Sequence, residues 1–304
     1  MTMKRSLPDV AKETSAENFP HLDWVGMDAI ELPILLKQAD GIYRIPALVE
    51  AKVSLDLASS RGIHMSRLYM IAQEQLSKEP LTLLEMGKAS AQFLETHKDL
   101  SSQARLSVRF DAPLKRKALK SENEAWRNYP VKLSVVNDKG TPQYFVEITV
   151  TYSSTCPASA ALSRQLIQDA FKAQFNGGSV EFDQVHSWLG TTQGIVATPH
   201  SQRSFARVKV EVVPEFEFIT LIDAIEEALQ TAVQGAVKRE DEQEFALRNG
   251  QNLMFCEDAA RRAKKHLDAL AGVRDYVAEF SHIESLHPHN AVSRVSKGLK
   301  LRDF

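Results

Sequence analysis

From Ala47 to Leu57 the chain alternates strictly. Ala47, Val49, Ala51, Val53, Leu55 and Leu57 are apolar, and Glu50, Lys52, Ser54 and Asp56 stand between them. A period of two held over this length predicts a strand with one face in a core and the other in water, the antiparallel kind. The same period returns at Ala104, Leu106, Val108 and Phe110, and at Val131, Leu133 and Val135. It returns again at Tyr144, Val146, Ile148 and Val150, and at Ala206, Val208, Val210 and Val212. Strand-like runs also cover Asp28 to Leu36 and Val273 to Ile283. Between them the apolar spacing turns helical. Met65, Leu68, Tyr69, Ala72 and Leu76 share one face, as do Leu83, Met86, Ala89, Phe93 and Leu94, and two further helical segments cover about 218–237 and 253–270. The order strand, strand, helix, helix, strand therefore occurs twice, which divides the chain into units at 21–140 and 141–304. Residues 1–20 are polar and aperiodic and read as a mobile arm. The charged stretch from Leu114 to Asn128 reads as a loop. The Gly- and Thr-containing stretch from Asn176 to Pro199 reads as a flexible insertion.

Composition excludes several classes. A net charge of −2 over 304 residues offers no general attraction to nucleic acid or to an acidic membrane surface. No apolar run has the length of a membrane helix. Met1-Thr2-Met3-Lys4-Arg5 is followed by Leu-Pro-Asp rather than an apolar stretch, so no secretory signal is expected. Two cysteines far apart make no disulfide framework. The expectation is a cytoplasmic protein in a reducing compartment.

Cys156 ends a strand-like run and precedes Pro157 and a helical segment. A thiol at a helix N-terminus is favoured as thiolate, which is both nucleophile and metal ligand. The bland alternative is a small buried hydrophobe, the usual fate of free cysteine and the reading that suits Cys256 within Leu253-Met254-Phe255-Cys256. His200 follows Pro199 and opens the segment Ser201-Gln202-Arg203-Ser204. His287 and His289 flank Pro288, and Glu242 lies in the charge run Lys238 to Glu242. Each of these alone reads equally as a surface residue. Taken together they form a Cys/His/Glu/His set, the donor mixture that suits a catalytic zinc-type ion.

The segments Gly62-Ile63-His64-Met65-Ser66-Arg67, Ser154-Thr155-Cys156-Pro157, His200-Ser201-Gln202-Arg203-Ser204, Lys238-Arg239-Glu240-Asp241-Glu242 and Glu284-Ser285-Leu286-His287 occur in the order found in the type I-B GTP cyclohydrolases. The chain resembles that family from Leu7-Pro8-Asp9-Val10 to its final histidines. The resemblance implies an α+β protein of tandem tunnelling-fold modules, each an antiparallel sheet with two helices on one face. It implies homo-oligomeric rings, a homotetramer, with sites between neighbouring copies. The activity it implies is conversion of GTP and water to 7,8-dihydroneopterin triphosphate and formate. The implied metal ligands are Cys156, His200, Glu242 and His287, with His289 as a neighbour and with Cys156 and His200 as catalytic residues. The ion is zinc, manganese or iron. Glu257 is the implied anchor of the guanine ring, a carboxylate accepting two N–H donors from the base edge. Arg203, Lys238, Arg239, His64 and Arg67 are candidates for the triphosphate. Many members carry a second cysteine where this chain has Ala158, so a redox Cys-Pro-Cys pair is excluded. Two other readings stay open at this point. One is a deazaguanine nitrile reductase of the same fold, which would leave the His/Glu/His set without a purpose. The other is a non-enzymatic purine- or pterin-binding assembly protein, for which Cys156 would matter little.

Overall fold

A computed structural model describes residues 20–299. The expected arm, 1–20, and Leu7-Pro8-Asp9-Val10 lie outside the described residues apart from Pro20. Eight strands form one antiparallel sheet in chain order: β1 (Leu22–Gln38), β2 (Gly41–Leu55), β3 (Gln103–Lys117), β4 (Glu124–Asp138), β5 (Thr141–Thr155), β6 (Ser201–Val212), β7 (Val273–His282) and β8 (Ala291–Lys297). Helices α1 (Met65–Ser77) and α2 (Leu83–Thr96) follow β2, while α3 (Pro157–Phe175) and α4 (Phe182–Leu189) follow β5. Then α5 (Phe218–Leu229), α6 (Arg239–Gln251) and α7 (Cys256–Ala269) connect β6 to β7.

The alternation seen in the sequence is the alternation of burial. Val49, Ala51 and Val53 of β2, Leu106 and Val108 of β3, Val146, Ile148 and Val150 of β5, and Val208 and Val210 of β6 are buried on one face. Leu68, Ala72 and Leu76 of α1, Met86, Ala89 and Phe93 of α2, Leu221, Ile222 and Ile225 of α5, and Ala259, Ala263 and Leu267 of α7 cover that face, completing one continuous core. Alternation sends Glu31, Arg44, Arg109, Lys132 and Glu147 to the other face, where they line a hollow of about 940 Å³. The tight turn Lys139-Gly140, at φ 50° and 86°, joins β4 to β5 and continues the sheet without a break.

Three expectations are corrected. The charged stretch 114–128 is not a loop. β3 and β4 continue as a hairpin with Leu114 opposite Arg127 and Lys117 opposite Glu124. Two of its charges, Arg116 and Arg127, are half-buried and paired with α5. The Arg127 guanidinium meets Glu226 of α5 at 3.0 Å and Arg116 meets Asp223 at 2.7 Å. The Tyr129 hydroxyl donates to Glu226 at 2.6 Å, and burial, then the Glu226 charge, raises the Tyr129 pKa. Second, the stretch 176–199 contains α4, whose Trp188 packs on Phe171 and Phe175 of α3 at 5.7 and 5.6 Å between ring centroids. Third, the segment 218–237 is helical only to Leu229. Gln230 takes the left-handed conformation, φ 66°, and the chain then runs extended beside β5, where Ser153 N–H donates to Thr231 O and Val233 N–H to Thr151 O. A separate helix, α6, occupies the charge run.

The Glu226 cluster joins the β3–β4 hairpin to α5. Glu226→Ala would strip Arg127 and Tyr129, both largely buried, of their carboxylate partner and leave Arg116 with Asp223 alone. The expected loss is about 3 kcal/mol in urea unfolding. A loss below about 1 kcal/mol would make this a surface ion pair and would contradict the account.

Candidate active site

Four backbone segments converge where β5 ends. Thr155 is paired with Ser201 of β6, and Cys156 N–H donates to His200 O at 3.2 Å, extending the ladder past the strand. Ser204 of β6 faces His282 of β7, and Ile283 N–H donates to Arg203 O. On the other flank Met254 N–H donates to Thr155 O, which brings the start of α7 alongside. Cys156, His200, Glu284 and Glu257 therefore stand at one end of the sheet.

Cys156 is the N-cap of α3, and Ser159 N–H donates to its Sγ at 3.5 Å. Pro157 fills the first helical position, where its missing N–H costs nothing. The Ser159 hydroxyl accepts from His200 N–H at 3.1 Å, so one residue braces both the thiol and the histidine backbone. His200 Nδ1 lies 2.9 Å from Gln202 Oε1 and 4.0 Å from a Glu284 carboxylate oxygen. Cys256 is buried against Phe280 O, Ala291 O and the Ser293 hydroxyl, and burial raises its thiol pKa, which suits the structural role expected of it. Glu257, exposed in the first turn of α7, lies within electrostatic reach of buried His282. His282 meets the Tyr152 hydroxyl at 2.9 Å, and burial pushes its pKa down to about 4, so the imidazole stays neutral at physiological pH.

The other expected residues stand apart. Glu242 is exposed in the first turn of α6. Asn249 of the same helix accepts from Ser153 Oγ of β5 at 2.6 Å, and seven residues of helix put Glu242 about 10 Å along the axis from that contact. Lys238 and Arg239 are exposed at the start of α6. His287 is exposed on the β7–β8 connection and stacks on His289, with ring centroids 5.0 Å apart. Arg203 is exposed on β6. His64 caps α1, and with Arg67 it lines a cavity of about 250 Å³; the Arg67 guanidinium donates to Thr96 O at 2.8 Å. That cavity lies beside the Thr141 end of β5, tied there by Ser102, whose N–H donates to Asp56 and whose O accepts from Lys139 N–H. A 15-residue strand is about 45 Å long, so His64 and Arg67 stand at the far end of the sheet from Cys156. Among the described residues no three His, Cys, Asp or Glu side chains of one copy form a group able to hold a metal ion.

The donors present nonetheless fit a divalent cation. A thiol braced at a helix N-terminus and an imidazole whose Nδ1 faces acceptors offer one soft and one borderline ligand in adjacent positions. Gln202 and Glu284 were not assigned from the sequence. Strand spacing carried the signal for Gln202, because residues 200 and 202 share a face.

α6 is placed by Asp241, which is fully buried. Its carboxylate accepts from Ser121 Oγ at 2.6 Å, from Lys120 and Ser121 N–H at 2.8 and 2.9 Å, and from Lys238 N–H at 2.8 Å. These bonds, the Ser121 hydroxyl first, hold its pKa far below the usual carboxylate range. The folded pKa is depressed, so the stabilisation is complete above the unfolded value near 4 and is lost as pH falls through the folded one. Asp241→Asn should melt lower than wild type at pH 7, and the gap should shrink below about pH 4. A gap that is absent at pH 7, or unchanged in acid, would contradict this.

Comparison with known proteins follows the same lines. The family described as type I GTP cyclohydrolase folE2 matches residues 7–293. The chain is 70% identical over 302 residues to the GTP cyclohydrolase FolE2 of Bdellovibrio bacteriovorus, covering 99% of each chain. It is 48% identical to that of Hydrogenovibrio crunogenus, covering 96% of this chain and 95% of the relative. Among solved structures it resembles a uricase from Arthrobacter globiformis, with a TM-score of 0.51 at 8% identity over 92% of this chain and 95% of that one. A hyper-thermostable mutant of that uricase gives 0.52 at 9% identity, covering 91% of this chain and 93% of the mutant. At such identity the likeness speaks for the fold alone, the tunnelling fold.

Proposed function

The chain belongs to the FolE2 family of type I GTP cyclohydrolases, and we propose that its active site lies between copies, with Cys156, His200, Glu242 and His287 around a divalent metal ion. The enzyme opens the imidazole ring of GTP by hydrolysis at C8, releasing formate and giving 7,8-dihydroneopterin triphosphate for pterin and folate synthesis. The nitrile-reductase and non-enzymatic readings fall with the family.

One observation carries the shared site. The triphosphate candidates His64 and Arg67 stand at the opposite end of the sheet from the thiol within one copy, with the length of β5, about 45 Å when extended, between the two ends, so they reach the same substrate only from a neighbour. Glu242 and His287 are exposed at the Cys156 end, where a neighbour packing against that end would enclose them. Among the described residues the edge strands β1 and β8 pair with no further strand on their outer sides, apart from a bridge between Leu35 and Pro80, and open edges are the usual invitation to association. A homotetramer in the cytoplasm accords with this and with the resemblance.

The residues have separable tasks. Glu257, with no hydrogen-bond partner among the described residues, offers two carboxylate oxygens to the N–H groups of the guanine edge, which rejects bases lacking them. Arg203, Lys238 and Arg239 at the thiol end, with His64 and Arg67 of the neighbour, neutralise the triphosphate. Cys156 is held in place by the α3 cap and His200 by the β6 ladder. Zinc, manganese or iron held there would supply Lewis acidity and draw the pKa of water towards neutrality. The thiolate favours zinc, while the carboxylate and imidazoles tolerate the others.

Two expected outcomes test this. Cys156→Ser and Arg67→Ala should each be nearly inactive alone. Mixed by denaturation and renaturation they should regain pterin formation, because some sites then combine an intact Cys156 with an intact Arg67. No recovery in correctly assembled mixed oligomers would contradict the shared site. Glu257→Gln places an N–H donor against a guanine N–H. Calorimetry should show GTP affinity falling by about two orders of magnitude, several kcal/mol being typical of a broken charged hydrogen-bonded pair. Unchanged affinity would remove Glu257 from the base pocket.

A further inference from the structure

We propose that Gln202 is a positioning residue that fixes the tautomer of His200, leaving Nε2 as the bare nitrogen that faces the metal. The inference rests on the reading that His200 is a metal ligand.

His200, Gln202 and Ser204 follow one another on one face at the start of β6. Gln202 is only 8% exposed, and its carboxamide spans two partners. Oε1 lies 2.9 Å from His200 Nδ1, and Nε2 donates to Ser154 Oγ at 3.1 Å. Ser154 Oγ is in turn 2.8 Å from Ser204 Oγ, and both serines are fully buried. Ser154 Oγ accepts from the amide, and either serine of the pair can donate to the other.

An amide can be turned end for end with little change of shape, so its neighbours must decide its sense. In the turned arrangement the Gln202 amino group would donate to a bare Nδ1, and His200 would carry its proton on Nε2. Glu284 decides against that. One of its carboxylate oxygens lies 4.0 Å from the same Nδ1, in a half-buried setting. A carboxylate attracts an N–H there and repels a lone pair. Nδ1 therefore carries the proton, Gln202 accepts it, and Nε2 keeps the lone pair that a cation requires. The buried serine pair behind the amide holds the brace in one rotamer. Without the brace the proton is free to move to Nε2 and the ring to rotate, and both outcomes weaken metal binding before any substrate is present.

The test measures zinc affinity by competition with a chromophoric chelator, in the assembled protein without GTP. Gln202→Leu removes the acceptor and should weaken zinc by about 10–100-fold, the usual effect of losing such a partner. Gln202→Glu keeps an acceptor towards Nδ1, and Ser154 can turn its hydroxyl to the new carboxylate, so affinity should stay close to wild type. His200→Ala separates the two ideas. If it binds zinc like wild type, the ligand reading fails. If it loses zinc while Gln202→Leu binds like wild type, the positioning inference fails and the ligand reading stands. Should Gln202→Leu not fold, nitrogen NMR of metal-free wild type labelled at histidine decides, with His200 assigned by its loss in His200→Gln. A protonated Nδ1 and bare Nε2 support the proposal, and a bare Nδ1 overturns it.

Discussion

The register of β5 against β6 is the constraint on which the rest depends. Val146, Ile148, Val150 and Tyr152 on one strand and Ala206, Val208, Val210 and Val212 on the other are buried on the same face. A slip by one residue would turn all of them towards water. At about 1.5 kcal/mol or more for each large side chain, the penalty is on the order of 10 kcal/mol, comparable with the whole stability of a domain. That penalty locks Thr155 opposite Ser201 and places Cys156 N–H on His200 O. The proximity of the thiol and the imidazole is thus a consequence of core packing. No contact between the two side chains is needed to produce it.

Polar anchors do for the connecting segments what apolar packing does for the strands. Asp241 satisfies the start of α6 and ties it to the β3–β4 turn, while Asn249 ties its other end to Ser153. Glu226 ties the same hairpin to α5. Both anchors run from the β3–β4 hairpin to helices about a hundred residues later in the chain, so the hairpin serves as a strut for them. The outcome is one continuous frame, a single sheet over a single core. The thiol lies at one end, and the His64–Arg67 cavity at the other. Such a frame is useful to an enzyme of large, charged substrates when copies abut end to end.

Much of this was legible in the sequence, for physical reasons. Strands with one face in the core show period two, and α1 and α2, which pack flat on them, show an apolar stripe. The family was legible from five short motifs in order. What escaped was held by long-range polar contacts. Arg116 and Arg127 read as solvated charges because their partners, Asp223 and Glu226, lie far along the chain. α6 was missed because among its residues only Asp241 is buried, so no apolar face announces it. The insertion before His200 read as loop because α4 is short and rests on the aromatic contacts of Trp188. The motifs named His64, Arg67, Cys156 and His200 together, and only the topology reveals that one copy keeps the first pair and the second pair apart.

The central claim is that copies of this chain close a metal site on Cys156 and His200 and face it with the opposite end of a neighbour. Diffraction from the zinc-loaded assembly, collected on both sides of the zinc absorption edge, tests that claim most directly. The account predicts an anomalous peak bonded to Cys156 Sγ and His200 Nε2, with Glu242 and His287 completing the shell and His64 and Arg67 of another copy across the cleft. A peak that engages neither Cys156 nor His200, or an assembly in which the two strand ends never meet, would contradict it.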